Sequence, residues 1–199
     1  MDSPHRTAAR PARTAERATV AVIAGPDASL VATPEELRRW RRLTPLALWS
    51  VVSVSGAPAD ENLPDEILHG VAAELARQDV AAHRLILVAE GKAARAALEL
   101  VLRGDIDCAG LLAIAVPCAA LPFRIIPTAA AIRLVVRRAD REDTPADLIT
   151  ALRAADLDAR IIGFNSARTN DTRAAGNAAE TFVLELVANA SRQSRHHGA

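Results

Sequence analysis

One stretch of the chain combines residue types at a spacing that could do chemistry. In Arg84–Arg103, RLILVAEGKAARAALELVLR, the apolar run Leu85-Ile86-Leu87-Val88 reads as a buried strand. Ala89-Glu90-Gly91-Lys92-Ala93 reads as a tight turn, and the alanine-rich remainder as a helix. A strand that turns sharply into a helix over the carboxyl edge of a sheet is the layout of a nucleophile elbow, which presents a reactive side chain to a substrate. The apex here is Gly91, which has no side chain to present. Lys92 opens the helix immediately afterwards. Helix N-termini attract anions, and a lysine adds a full charge, so Glu90, Gly91 and Lys92 are candidates for holding a phosphate or carboxylate. The P-loop spacing is absent. The competing reading is a solvated ion pair of Glu90 with Lys92 or Arg95.

Other candidates are scattered. Cys108 and Cys118 flank an apolar run and offer neither zinc spacing nor a disulfide framework, which fits two small buried thiols. Cys118 stands where a strand ends but has no histidine beside it. Arg137-Arg138 precedes Asp140, Glu142 and Asp143, a mixed charge cluster at a strand end. Asn165–Arg173, NSARTNDTR, is a polar loop in which Ser166, Thr169 and Asp171 could line a pocket; satisfying local backbone groups is the simpler role. The histidines are His5, His69, His83, His196 and His197, and none falls after a strand end. No metal set and no cofactor motif is read.

The elements that must position these groups alternate. Strands are expected at Thr19–Ala24, within Leu46–Ser55, and at Leu85–Ala89, Gly110–Val116, Ile132–Arg137 and Arg160–Phe164. Helices are expected at Pro34–Arg42, Pro64–Gln78, Lys92–Arg103, Pro145–Ala155 and Ala174–Ala190. Thr33 is read as the cap of the first helix, with Glu36 completing a capping box. Apolar strands separated by helices imply a parallel sheet covered on both faces, and right-handed crossovers make it a three-layer αβα sandwich. No internal repeat or splitting linker is seen.

Composition narrows the partners. The 199 residues carry 24 basic and 24 acidic side chains, so no net field draws the chain to nucleic acid or an anionic membrane. Lys92 is the sole lysine, and aromatics make up 3% with no Tyr, which argues against base-stacking surfaces. The arginines around Trp40 (Arg38, Arg39, Arg41, Arg42) read as a solvated or partner-facing helix. No apolar run spans a bilayer, and the first residues lack a hydrophobic signal core. Residues 1–17 read as a disordered basic arm, with a faint similarity in composition to transit peptides. Residues 18–191 read as one domain and 192–199 as a polar tail.

The order of elements over roughly residues 64–190 resembles the α/β-hydrolase fold, and most closely the small phospholipase/carboxylesterase family. That family's strand ends in G-x-S-x-G; the match here is Ala89-Glu90-Gly91-Lys92-Ala93. Ala109–Ile114 is similar to the next family strand, and Arg137–Pro145 resembles the loop that carries the triad acid. The resemblance puts that acid at Asp140, with Glu142 or Asp143 after a small shift. It puts the catalytic histidine in Asn165–Arg173, which has none. The early H-G oxyanion segment is replaced by Gly25-Pro26-Asp27. A triad works as a unit, so the resemblance implies a retired site rather than a working one. The expectation is an α/β-hydrolase-like sandwich without a developed lid, in the cytoplasm, binding a small molecule or protein partner around Glu90, Gly91, Lys92, Asp140, Asn165 and Ser166. An esterase or thioesterase with relocated groups, and a structural subunit paired with an active relative, are the alternatives. No nucleic acid, membrane, metal or cofactor is expected, and a homodimer stays open.

Overall fold

The computed structural model describes residues 17–55, 62–117, 120–137, 145–164 and 170–196. Residues 1–16 of the basic arm, Cys118, Asp140, Glu142, Asp143, Asn165, Ser166 and Thr169 lie outside the described residues.

Six strands form one sheet: β1 (Thr19–Ala24), β2 (Leu48–Ser53), β3 (Leu85–Glu90), β4 (Gly110–Ile114), β5 (Ala131–Arg137) and β6 (Ala159–Phe164). Their order is β2-β1-β3-β4-β5-β6, and every neighbouring pair is parallel. Parallel strands need long crossovers, and α1 (Pro34–Leu43), α2 (Leu63–Gln78), α3 (Gly91–Leu102) and α4 (Pro145–Ala154) supply four of them; the connection from β4 to β5 shows no helix among the described residues, and α5 (Asn170–His196) follows β6 and packs back on the sheet. One face of the sheet packs on α2, α3 and α4 through residues such as Ile67, Val71, Leu98 and Leu152. The other packs on α1 and α5 through Trp40, Phe182, Val183 and Leu186. This is the three-layer αβα sandwich expected.

The centre of the sheet is β3, LILVAE, buried at all six positions. Strands covered on both faces read as unbroken apolar runs, and each such Leu, Ile or Val contributes about 1.5–3 kcal/mol on burial. The alanines of α3, Ala93, Ala94 and Ala97, are fully buried, and their small side chains let the helix lie close on the sheet. On α2, Gly70 does the same against β2, since a Cβ there would overlap Val52 Cγ1.

Several local expectations change. Thr33 makes no side-chain cap; its hydroxyl donates to the Ser29 carbonyl at 2.7 Å, because the preceding loop presents that oxygen to it. Glu36 does not complete a box either. Its carboxylate lies against Gly176 of α5 and 3.8 Å from Arg39, which also pairs with Glu180. The last helix starts at Asn170 and runs to His196, so it takes in Asp171 and much of the segment read as a tail.

One cation lies deep inside. Arg133 on β5 is 0% exposed, yet every donor finds a partner. It pairs with Asp158 at 3.0 Å and Glu185 at 2.8 Å and donates to the carbonyls of Ile132 and Asp158. Burial disfavours its charge, but the two carboxylates outweigh that and raise its pKa. The Arg133 hydrogen bond in turn holds Glu185 below the ordinary 4.5. A carboxyl whose pKa is lowered by folding stabilises above its unfolded value, and that contribution is lost as pH falls through the lower folded value. Replacing Glu185 by Ala should therefore cost about 2 kcal/mol at pH 7, less than a fully buried pair because Glu185 keeps some water. Denaturant titrations should show the wild-type advantage over E185A shrinking progressively below pH 4.5.

Candidate functional site

In an open α/β sheet, ligands bind where the strand order reverses, beyond the carboxyl ends of the strands. Here β1 connects to β2 on one side while β3 lies on its other side, so the crevice falls between the loops after β1 and β3. The sequence elbow sits on this boundary. Gly91 has φ +64°, the left-handed region that costs a side-chain-bearing residue strain and glycine little. Glu90 is still extended, at φ −132° and ψ 147°, so the chain turns from strand into helix across a single peptide.

Two carboxylates close the crevice. Glu90, the last residue of β3, is 4% exposed. Its Oε2 accepts the backbone N–H groups of Ser29, Leu30 and Val31 at 2.9, 2.7 and 3.0 Å, and its Oε1 accepts the Ser29 hydroxyl at 2.7 Å. The expected pairing of Glu90 with Lys92 or Arg95 is thus replaced by a staple on the β1 loop. Arg95 instead pairs with Glu99 at 2.6 Å and donates to the carbonyls of Pro117 and Ala120, fixing the loop after β4. From the opposite side, Asp27 reaches across to the elbow. Its Oδ2 accepts the Lys92 N–H at 3.0 Å. A Cβ built on Gly91 would stand 2.9 Å from the Asp27 carboxyl carbon and closer still to Oδ2. The Asp27 carboxylate therefore occupies the volume of the missing side chain.

That placement has a chemical meaning. In an elbow enzyme, the N–H of the residue after the nucleophile stabilises the oxyanion, with a second N–H from a neighbouring strand–helix loop. The first donor here is Lys92 N–H, already bonded to an internal anion. Neither His69 nor His83 can serve as base at this edge. His69 sits on the exposed face of α2 with Nδ1 on the Asp65 carbonyl at 2.7 Å, and His83 lies in the 3-10 turn that enters β3 from the far end. Cys108 also lies at the far end, before β4, 2% exposed, with burial pushing its thiol up to about 12. A group so protonated is a poor nucleophile. No cluster of metal-ligating residues occurs among the described residues. A wide recess of about 750 Å³ lined by Phe123, Ile125, Pro127 and Ala151 also lies at the amino end of the sheet, away from the elbow.

Of the residues read from sequence, Glu90, Gly91 and Lys92 come together at the switch point. The residue missed was Asp27. Its signal was a carboxylate in the Gly25-Pro26-Asp27 turn, and using it required knowing that β1 lies beside β3.

This geometry defines an α/β-hydrolase fold, and solved structures of that fold superpose on it. Esterase PE8 is 16% identical, with TM-score 0.63, covering 85% of this chain and 93% of its own. A putative hydrolase of the alpha/beta superfamily from Xanthomonas campestris pv. campestris is 14% identical, with TM-score 0.56, covering 86% and 99%. A hormone-sensitive lipase from a metagenome library is 12% identical, with TM-score 0.65, covering 86% and 78%. No family model and no curated protein sequence matches the chain. Among the described residues, no helix is long and apolar enough to cross a membrane.

Two outcomes follow from the stapled crevice. Gly91→Ala should destabilise the fold by about 1–3 kcal/mol through the left-handed backbone and the overlap with Asp27. In an Asp27→Ala background that cost should drop, so a double-mutant cycle by chemical denaturation should give non-zero coupling. Glu90→Gln should cost about 1–3 kcal/mol, since a carboxamide cannot accept all four donors, and hydrogen exchange at Ser29–Val31 should accelerate.

Proposed function

We propose that the chain is a non-catalytic α/β-hydrolase-fold protein that uses the elbow region to bind a small ligand or a protein partner. One observation carries this reading: at the switch point the apex has no side chain, and the Asp27 carboxylate fills its place and holds the Lys92 N–H. Acyl transfer needs nucleophile, base and oxyanion donors together, and losing one already costs orders of magnitude in rate. What survives is the recognition half of the site. It consists of the exposed Lys92 at the rim of the crevice, with Asp140, Asn165 and Ser166, which follow β5 and β6 in the sequence, as further candidate contacts. The narrower kinship with small phospholipase/carboxylesterase proteins belongs to the same proposal. So does a cytoplasmic setting, which the free buried Cys108 supports.

The competing reading, an esterase- or thioesterase-type hydrolase with relocated groups, draws on the esterase and lipase names of its structural neighbours. It needs a base from residues 1–16 or the chain end, because Asn165–Arg173 holds no histidine.

A fluorophosphonate probe and a panel of short acyl esters separate the two. No covalent labelling and no turnover above buffer are expected, for the wild type, for Gly91→Ser and for Gly91→Ser with Asp27→Gly. Turnover that copurifies with the wild-type chain through several columns refutes the proposal. Ligand fragments should perturb the Gly91 and Lys92 amide resonances before any others.

A further inference from the structure

The connection from β4 to β5 and the end of α4 leave a recess of about 750 Å³ between them, at the edge of the sheet opposite the elbow. The sequence explains why the space exists. α4 and the residue after it present Ala151, Ala154 and Ala155 at spacings of three and four, so this side of the helix carries nothing longer than a methyl group. The facing wall is residues 123–127, FRIIP. That wall is pinned to the end of α3. The Ile126 N–H donates to the Leu102 carbonyl at 2.8 Å, the Arg103 guanidinium lies 4.4 Å from the centre of the Phe123 ring, and Ile126 lies beside Gly104. The recess is therefore part of the fold.

Its two walls differ in chemistry. Phe123 and Ile125 also pack on the core, while Ile126 is 51% exposed, so a large apolar side chain stands open beside two others. Arg124 is exposed and is the only charged residue among the described residues lining the recess. Arg103 is already engaged with Phe123 and Glu99, whereas Arg124 has neither an ion pair nor a hydrogen bond among the described residues. The alanine wall belongs to the carboxyl end of α4, where carbonyls without helix partners carry partial negative charge. An anion is disfavoured there and favoured across the recess, at Arg124.

We propose that this recess binds a small molecule with an apolar body and a single oxyanion head, a carboxylate or a phosphate monoester. Pockets of about 300–1,000 Å³, mostly apolar with a few polar groups, are the usual size and make-up of small-molecule sites. The body lies along Ala151, Ala154 and Ile126 and displaces water from them. The head meets the Arg124 guanidinium, whose planar fork donates two parallel hydrogen bonds to such an oxyanion. A cationic head would meet like charge at Arg124, and a neutral one would leave the guanidinium without an anion. The site lies away from the elbow, so it stands or falls independently of any ligand bound around Gly91 and Lys92.

Amide NMR titrations of the full chain with octanoate, octyl phosphate, octanol and octylamine, each below its micelle concentration, test this. At least one of the two anions should shift the resonances of residues 123–127 and 151–155 saturably and leave those of Gly91 and Lys92 unmoved. It should bind about tenfold or more tightly than octanol, the increment of a hydrogen-bonded charge pair, and the tighter anion identifies the head. Arg124→Gln should remove that increment and leave octanol binding as it was. Ala154→Leu fills the recess while keeping a good helix former, and should abolish binding of all four probes. Circular dichroism checks that both variants fold. No saturable shift with either anion overturns the proposal. So does an anion increment that is missing, that survives Arg124→Gln or that octylamine shares, or a set of shifts that maps away from the recess. A doubled mass in light scattering that Ala154→Leu reduces to a single chain overturns it as well, by making another copy the occupant.

Discussion

The geometry of the crevice depends on the Glu90 carboxylate. It ends the most buried strand of the sheet and collects three backbone N–H groups and a hydroxyl from the loop after β1. Buried backbone donors must be satisfied, and a loop over the carboxyl edge has no ladder to satisfy them. Glu90 acts as that ladder. By fixing 29–31 it fixes the entry to α1 and the reach of Asp27. Asp27 in turn satisfies the Lys92 N–H at the start of α3. Two elements that would otherwise flank an open cleft are thus tied by reciprocal hydrogen bonds, each running from one strand's loop to the other strand's end.

The tie holds this strand-to-helix corner together with a glycine at its apex. A glycine at the left-handed apex removes the backbone strain that a nucleophile imposes there. Asp27 supplies the volume beside that glycine and the acceptor for the Lys92 N–H. The positive end of α3 is thus balanced at rest by a carboxylate of the chain itself.

Much of this was legible in the sequence. The apolar runs and helical spacings located the six strands and five α-helices seen among the described residues, and the strand–glycine–helix pattern of Leu85–Arg103 located the elbow. What could not be read was which side chain answers which. Glu90 stands two residues from Lys92 and five from Arg95, so local spacing favoured ion pairs. The actual partners lie about sixty positions earlier and meet it only because β1 pairs with β3. Thr33 differs in kind: its hydroxyl accepts no helix N–H and donates instead to the Ser29 carbonyl four residues back, in the loop that Glu90 holds. Strand order, not motif, decides these contacts, and strand order is a long-range property.

Arg133 carries a consequence for how the chain matures. It sits on β5, and the carboxylates that balance it arrive 25 and 52 positions later, on the turn before β6 and on α5. During synthesis β5 leaves the ribosome with a cation it cannot take into an apolar interior. Its set of partners is complete only when α5 has emerged and docked. The carboxyl-terminal helix is then the keystone of assembly, and nascent chains cut short of it would be left with an open, charged flank for chaperones and proteases to recognise.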